Sequence, residues 1–211
     1  MIETVKRVLV LAPHIDDGEF GCGGTIAKFI EAGKEVYYAA FSTASKSVPE
    51  GFPQNVLEFE VKKATEILGI SPSNLLIYKY EVRKLNYSRQ DILEEMIKLK
   101  KDIDPELICL PSVNDLHQDH HTIVMEGIRA FKQRSIISYE LPWNNITFHT
   151  QAFVKLDEKH IKKKIQALKA YKSQRGRYYA SEEFIRSLAI TRGTQINEKY
   201  SEAFEVVRWI I

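Results

Sequence analysis

Two short clusters of ionisable side chains stand out in the sequence, and each follows an apolar run. The first contains His14, Asp16 and Asp17, and the second places three histidines and two aspartates within positions 115–121. The chain has 6 histidines in all, so half of them gather in the second cluster. Imidazole and carboxylate groups bind zinc, and catalytic zinc sites use three protein ligands and leave one position for water. These residue types therefore predict a hydrolytic metal site.

The first cluster places two carboxylates side by side. Asp16 and Asp17 would repel one another at the end of a strand, and a bound cation would relieve that repulsion. His14 and Asp17 can then point inward as ligands while Asp16 faces a bound water. For this cluster alone, the alternative is a helix-capping turn formed by the two aspartates, with His14 in solvent.

The second cluster can complete the ligand set. His117 and His120 are three residues apart, so they share one face if a helix begins here. His120 would then form a His/His/Asp set with His14 and Asp17, and these three are the predicted metal ligands. The alternative is a helix start that merely carries polar residues.

The remaining polar residues of the second cluster are interpreted as supports. Asp119 could orient one of the imidazoles and so fix its tautomer. Asp115 is interpreted as a turn or cap residue, and His121 as a residue that faces away from the site.

The elements that must position these clusters alternate between strand and helix. Predicted strands cover residues 8–11, 35–42, 74–80, 107–110 and 135–139, with helices at 23–33, 56–69, 91–101 and 120–131 between them. An extended stretch at 147–156, helices at 159–171 and 182–189, and a strand at 204–210 follow. This rhythm predicts an α/β fold, a single Rossmann-like domain over residues 1–211 with a mostly parallel sheet and helices on both faces. Such sheets carry their chemistry beyond the carboxyl ends of the strands, where both clusters fall.

Composition argues against several classes of protein. The 211 residues carry a formal net charge of +2, from 30 basic and 28 acidic side chains, so we expect no nucleic-acid partner. No apolar run is long enough for a signal peptide or a membrane span. Cys22 and Cys109 are far apart and a chain of this size needs no disulfide, so we expect a cytoplasmic protein.

Three glycines after the first cluster invite a phosphate-binding interpretation. A dinucleotide fingerprint requires G-x-G-x-x-G, and counting from Gly21 the sixth position is Ile26. Gly21, Gly23 and Gly24 are better explained by close backbone approach at the metal loop and by tight helix packing.

The two clusters together make the sequence resemble the PIG-L/LmbE-like deacetylases, zinc-dependent enzymes that remove acetyl groups from N-acetylated sugars and related amides. The first motif of that family, approximately A-[HP]-H-P-D-D-E followed by Gly-Gly-Thr, is matched by residues 12–17 and 23–25. The second motif, H-x-D-H, is matched by residues 117–120. Weaker landmarks at 67–69, 139–140 and 164–174 extend the resemblance over nearly the whole chain.

The resemblance implies an LmbE-like fold and an N-deacetylase, an amidohydrolase that acts on linear amide C–N bonds. It implies that His14, Asp17 and His120 hold zinc, with Fe²⁺ or another divalent ion as alternatives. It also implies that Asp16 is the general base and that His117 stabilises the oxyanion or protonates the leaving amine.

The sequence departs from the first motif at two positions. Ile15 replaces the usual proline, and Gly18 stands where a glutamate usually follows the aspartate pair. Neither change removes a predicted ligand or the predicted base. Glu19 is a candidate substitute for the missing glutamate.

The expected substrate is a small-molecule N-acetylated sugar or glycoconjugate, such as a derivative of N-acetylglucosamine. Arginines that face the substrate vary within the family, and Arg83, Arg175 and Arg177 are candidates for binding phosphate or carboxylate. The resemblance is also compatible with a homo-oligomer.

Two other functions stay open at this point. His14, Asp16 and His120 also form a 2-His-1-carboxylate set, as in non-haem iron oxygenases, although enzymes with that signature are β jelly rolls. The second alternative is a non-catalytic domain that binds a sugar or a nucleotide.

Overall fold

Seven strands form one sheet at the centre of the protein. The computed structural model describes residues 4–210; residues 1–3 and 211, the ends of the predicted domain, lie outside the described part. The strands are β1 (Arg7–His14), β2 (Glu35–Ser42), β3 (Leu75–Ile77), β4 (Leu107–Pro111), β5 (Ser135–Tyr139), β6 (Ala152–Leu156) and β7 (Tyr200–Arg208). Their order across the sheet is β3-β2-β1-β4-β5-β7-β6. Strands β1 to β5 run parallel, while β7 is antiparallel to both β5 and β6. The predicted mostly parallel α/β sheet is confirmed.

Helices cover both faces of this sheet. They are α1 (Asp17–Glu31), α2 (Val56–Leu68), α3 (Arg89–Ile103), α4 (Gln118–Ala130), α5 (Glu158–Lys169) and α6 (Glu182–Thr194). Successive side chains of a strand point to opposite faces, so β1 contributes to two cores. Val8 and Val10 pack with α1, α2, α5 and α6, whereas Leu9 and Leu11 pack with α3 and α4.

Helix α1 begins earlier than the sequence predicts, at Asp17 rather than at Gly23. Its backbone is broken at Cys22, where φ is −143° and ψ is 27°. The Glu202 carboxylate of β7 accepts hydrogen bonds from the backbone N–H groups of Gly24 (3.0 Å) and Thr25 (2.7 Å). The glycine run therefore starts only the second half of the helix, and the first half carries part of the ionisable cluster.

Several other element boundaries differ from the prediction, among them the end of α6, at Thr194 rather than Ala189. Strand β3 ends at Ile77 rather than at residue 80, and the last strand starts at Tyr200 rather than at Phe204. Beyond Ile77 the backbone N–H groups of Tyr78 and Tyr80 still donate to Ala40 (2.8 Å) and Phe41 (3.1 Å) of β2, so the chain stays beside β2 outside the regular strand.

The sheet order places the two ionisable clusters together. Strands β1 and β4 are parallel neighbours, so their carboxyl ends lie side by side. His14 is the last residue of β1, and the loop after Pro111 leads into α4, which starts at Gln118. Among residues 4–210, no helix is both long enough and apolar enough to cross a bilayer.

Candidate active site

The turn after β1 folds back on itself and brings three ionisable groups to one point. His14 ends the strand, Asp16 is the residue before the helix, and Asp17 opens α1. The Asp17 Oδ2 atom accepts a hydrogen bond from the backbone N–H of His14 at 2.8 Å. This contact aims the Asp17 carboxylate at the His14 ring and leaves Asp16 on the opposite side of the turn.

Three donor atoms form a nearly equilateral triangle at this turn. Asp17 Oδ2 lies 3.1 Å from His14 Nδ1 and 3.2 Å from His120 Nε2, and the two nitrogens are 3.3 Å apart. A tetrahedral zinc ion binds such atoms at about 2.0–2.1 Å, which places them about 3.3–3.4 Å from one another. The triangle formed by His14, Asp17 and His120 therefore fits a tetrahedral metal ion.

A carboxylate holds each imidazole of the triangle from behind. The Nε2 atom of His14 lies 2.9 Å from Asp119 Oδ2, and the Nδ1 atom of His120 lies 2.7 Å from Asp115 Oδ2. Because a carboxylate accepts, each imidazole donates on that side and turns its other nitrogen toward Asp17. Asp119 was expected beside an imidazole. Asp115 was interpreted only as a turn residue; it does accept from the backbone N–H of His117 (2.8 Å), but it also holds His120.

These carboxylates make the triangle favourable for positive charge. Burial lowers the pKa of His14, but Asp17 and Asp119 outweigh burial and raise it to about 9. Burial likewise lowers the pKa of His120, and Asp17 and Asp115 raise it to about 10. Burial raises the pKa of Asp17, yet the two imidazoles bring it well below its ordinary value. The site therefore attracts a cation, either as protons or as a metal ion.

His117 has a different environment from the other two imidazoles. Its Nδ1 atom accepts a hydrogen bond from the backbone N–H of Asp119 at 3.1 Å, so a neutral His117 carries its proton on Nε2. Burial, His120 and His14 lower its pKa, which favours this neutral form. Ligand nitrogens of His14, His117 and His120 all lie within 4.8 Å of one another, so His117 borders the triangle.

Asp16 lies beside the triangle on the other side. Its carboxyl is buried, with 8% of the residue exposed. Burial and the neighbouring Asp17 raise its pKa, and Arg177 lowers it. The guanidinium of Arg177 donates to Asp16 Oδ2 at 3.2 Å.

The triangle opens into a cavity of about 430 Å³. His14, Asp16, Asp17, His117 and His120 all line it, so the structure brings five of the six predicted site residues to one surface. Asp119, the sixth, lies behind His14. Trp143 and Tyr179 form an aromatic wall, with stacked rings whose centroids are 3.9 Å apart. Two of the three candidate arginines, Arg83 and Arg177, also line the cavity, whereas Arg175 is exposed outside it.

Glu19, the candidate substitute for the missing motif glutamate, does not line the cavity. It is fully buried and accepts hydrogen bonds from the hydroxyl groups of Tyr38 and, at 2.7 Å, Tyr171. Burial raises its pKa to about 8. A Cβ atom at Gly18 would lie 2.5 Å from Tyr38 Cε2, so the Tyr38 ring leaves no room for a side chain at position 18. The sequence alone did not single out Tyr38, whereas Tyr171 lies in the landmark at 164–174, which carried no predicted role for it.

Comparison with known proteins identifies the family of this chain. The family described as PIG-L, GlcNAc-PI de-N-acetylase, matches residues 9–131, which is more than half of the chain and includes both ionisable clusters. The chain belongs to the PIG-L family. It is therefore a deacetylase, an enzyme that hydrolyses an amide C–N bond, and the family resemblance of its sequence is confirmed.

Curated relatives match over most of their length. The uncharacterized deacetylase YaiS of Escherichia coli is 29% identical over 173 residues, which cover 80% of this chain and 91% of that protein. The diacetylchitobiose deacetylase of Thermococcus kodakarensis is 25% identical over 228 residues, covering 96% of this chain and 84% of the relative.

Solved structures share the fold of this PIG-L protein. A conserved protein from Thermus thermophilus has a TM-score of 0.83 at 22% identity, covering 99% of this chain and 97% of the other. The N,N'-diacetylchitobiose deacetylase of Pyrococcus horikoshii, bound to an inhibitor, has a TM-score of 0.82 at 22% identity, with coverages of 98% and 85%. A 4-carboxy-2-hydroxymuconate hydratase from Pseudomonas putida also matches, with a TM-score of 0.80 at 19% identity and coverages of 98% and 98%. The fold alone thus accommodates more than one reaction.

Proposed function

We propose that this protein is a metal-dependent N-deacetylase that hydrolyses the acetamide of an N-acetylated sugar or sugar-containing metabolite. The observation that carries the proposal is the triangle of Asp17 Oδ2, His14 Nδ1 and His120 Nε2 with Asp16 beside it, in a member of the PIG-L family. A relative and a structural neighbour that act on diacetylchitobiose support a sugar substrate. The aromatic wall of Trp143 and Tyr179 is also suited to pack against a sugar ring.

We assign His14, Asp17 and His120 as the metal ligands. His117 is a poorer ligand because its Nδ1 atom already accepts a backbone N–H, which leaves the proton on the nitrogen that faces the cavity. The mixed nitrogen and oxygen donors suit zinc, and Fe²⁺ or another divalent ion is the alternative. When bound, the metal would polarise the acetamide carbonyl and acidify the attacking water.

The side chains around the triangle act as the base, stabilise the oxyanion and position the ligand rings. Asp16, buried at the edge of the cavity, accepts a proton from the water as that water attacks the carbonyl carbon. The Nε2–H group of His117 donates a hydrogen bond to the oxyanion that develops on the substrate. Asp119 and Asp115 keep the rings of His14 and His120 in place throughout.

The reaction balances with water as its only co-substrate. A C–O bond forms between water and the acetyl carbon, and the C–N bond of the acetamide breaks. The proton held by Asp16 passes to the departing nitrogen, because an unprotonated amide nitrogen is a very poor leaving group. The products are acetate and the free amine of the sugar.

An acetate-release screen over N-acetyl sugars, with and without a chelator, tests this function. The proposal expects acetate from at least one N-acetylated sugar, loss of activity on chelation, and recovery when zinc is restored. Activity that chelation leaves untouched would contradict the metal mechanism. Turnover that needs iron and oxygen would support the oxygenase alternative, and sugar binding without acetate release would support the non-catalytic one.

We further propose that residues 1–211 act as one LmbE-like deacetylase domain in the cytoplasm. One sheet joins strands from Arg7 to Arg208, which supports a single domain. Cys22 and Cys109 are far apart in sequence, but their buried side chains contact one another in the fold as free thiols, so a compartment that keeps thiols reduced is part of this proposal. A homo-oligomer stays a prediction.

A further inference from the structure

We propose that the substrate carries an anionic group, a phosphate or a carboxylate, and that Arg83 and Arg177 bind it. This inference rests on the proposed deacetylase function and names the chemical class of its substrate. Arg83 lies in the loop between β3 and α3 and Arg177 in the loop between α5 and α6, and both line the cavity above the metal-ligand triangle.

The backbone of Arg83 is fixed to the catalytic centre in a strained conformation. Its φ of 68° lies in the left-handed region, which a large side chain rarely adopts. The backbone N–H of Arg83 donates to Asp119 Oδ2 at 2.6 Å, and that of Leu85 donates to Asp119 Oδ1 at 3.2 Å. The same Asp119 carboxylate contacts His14. One carboxylate thus positions both an imidazole of the triangle and the loop that carries Arg83, and strained residues held in this way are typical of ligand-binding sites.

The guanidinium of Arg83 has few partners inside the protein. Within the described residues, the Arg83 guanidinium donates one long hydrogen bond, of 3.4 Å, to Ser47 Oγ. Glu81 is close in sequence, but it pairs with Lys46 at 2.6 Å and with Lys84 at 2.7 Å. Arg83 lines the cavity and is exposed, so most of its five N–H donors are accessible to a ligand there.

Arg177 keeps donors available as well. One of its terminal nitrogens donates to Asp16, its guanidinium also forms a hydrogen bond with the Tyr179 side chain, and the guanidinium carbon lies 5.8 Å from the centre of the Tyr179 ring. A guanidinium held against an aromatic ring can still bind a planar or tetrahedral anion with its remaining N–H groups.

The charges that line the cavity favour an anion. Its carboxylates are Asp16, which pairs with Arg177, and Asp17, which lies between two imidazoles. Arg83 has no carboxylate partner among the residues that line the cavity. A neutral sugar would bring no negative charge to pair with Arg83. A phosphate or a carboxylate can instead accept charge-assisted, bidentate hydrogen bonds from arginine.

Matched pairs of substrates test this inference. Acetate release is measured for N-acetylglucosamine, its 1-phosphate, its 6-phosphate and N-acetylmuramic acid, which separate a neutral sugar, two phosphate positions and a carboxylate. We expect kcat/KM for at least one anionic sugar to exceed that of N-acetylglucosamine by about 10-fold to 100-fold, the effect of one or two charge-assisted hydrogen bonds. Which anionic sugar is preferred identifies the source of the negative charge.

Arginine variants show which residue gives the preference. In Arg83→Gln the ratio of anionic to neutral kcat/KM should fall by at least about 10-fold, and Arg83→Lys should retain part of it. Arg175→Gln removes the same charge from an exposed position outside the cavity and should leave the ratio unchanged. Calorimetric binding of glucosamine 1-phosphate, glucosamine 6-phosphate, muramic acid and glucosamine measures the same preference without turnover.

The outcomes separate this inference from the proposed function. Acetate release at equal kcat/KM from neutral and anionic sugars would overturn the inference and leave the deacetylase function intact. A preference that Arg83→Gln does not change would overturn the assignment of Arg83. Absence of acetate from every N-acetyl sugar would contradict the proposed function, and the binding measurement would still decide whether the cavity prefers an anion.

Discussion

At the scale of single residues, the hydrogen bond behind each imidazole decides what that imidazole can do. Carboxylates behind His14 and His120 take up the N–H of each ring, so the opposite nitrogens face Asp17, where each can hold a proton or donate an electron pair to a metal ion. A backbone N–H behind His117 has the reverse effect and leaves a proton donor toward the cavity. The three histidines of this site thus have two different chemical roles.

Replacement of His117 tests this division. His117→Gln should lower kcat by about 10²–10³-fold, because an oxyanion donor is lost, while the metal content of the protein stays the same. The matched control is His121→Gln, an exposed histidine on the same helix that should behave like wild type. Metal content by mass spectrometry and acetate release are measured together, and loss of bound metal in His117→Gln would show that His117 is a ligand.

The sequence predicts much of the site at this scale because residue type and spacing carry the information. Histidine and aspartate at 14, 16, 17, 117, 119 and 120 are sufficient to suggest a metal centre, and all six gather there. The contact of Asp115 with His120 and the exclusion of a side chain at Gly18 by Tyr38 could not be predicted. Both depend on which side chains from other elements lie nearby, and no local pattern encodes that.

At the scale of elements, helix α1 is built in two parts so that its first turn can carry the ionisable cluster. The break at Cys22 exposes new backbone N–H groups in the interior, and Glu202 from β7 binds two of them. Lys164 of α5 pairs with Glu202 at 2.6 Å, and both residues are more than nine-tenths buried. A buried ion pair therefore connects the broken helix, α5 and the last strand.

Removing one partner of this pair should destabilise the protein strongly. Glu202→Gln leaves the Lys164 ammonium buried without a counter-charge, which costs about 3–5 kcal/mol in the free energy of unfolding. The control is Glu182→Gln, which removes the shared partner of two exposed ion pairs, with Lys169 and Arg186, and should cost less than about 1 kcal/mol. Urea denaturation measures both, and equal midpoints for the two variants would contradict the account.

Element type was predictable from the sequence, whereas some boundaries were not. Helix α2 and strands β2 and β5 match their predicted ranges within one residue because apolar periodicity and a terminal glycine or polar residue mark their ends. The start of α1 was wrong by six residues, since glycines at 21, 23 and 24 look like a helix start. Gly23 and Gly24 do begin the second half of α1, which the carboxylate of Glu202 caps, so the sequence missed only the first half.

At the scale of the whole molecule, the sheet order brings residues about a hundred positions apart in sequence into one site. The adjacent parallel strands β1 and β4 place His14 and His120 in contact. The two apolar cores lie below this edge and contain none of the predicted ligands. The fold should therefore not depend on the metal.

Removal of the metal tests that independence. Chelation should abolish acetate release while the circular dichroism spectrum stays unchanged, because both cores persist without the ligand set. Zinc added back should restore activity without a refolding step. Cooperative unfolding on chelation would instead show that the metal is structural, as in small zinc domains.

We propose that Asp16, and not one of the metal ligands, supplies the base of this deacetylase. Asp16→Asn keeps the size of the side chain and removes its ability to accept a proton, and Asp102→Asn makes the same change at an exposed position on α3. Acetate release and bound metal are measured for both variants on the preferred N-acetyl sugar. We predict that Asp16→Asn retains its metal and loses about 10²–10⁴-fold in kcat, while Asp102→Asn is unchanged. Near-normal turnover in Asp16→Asn would contradict this account.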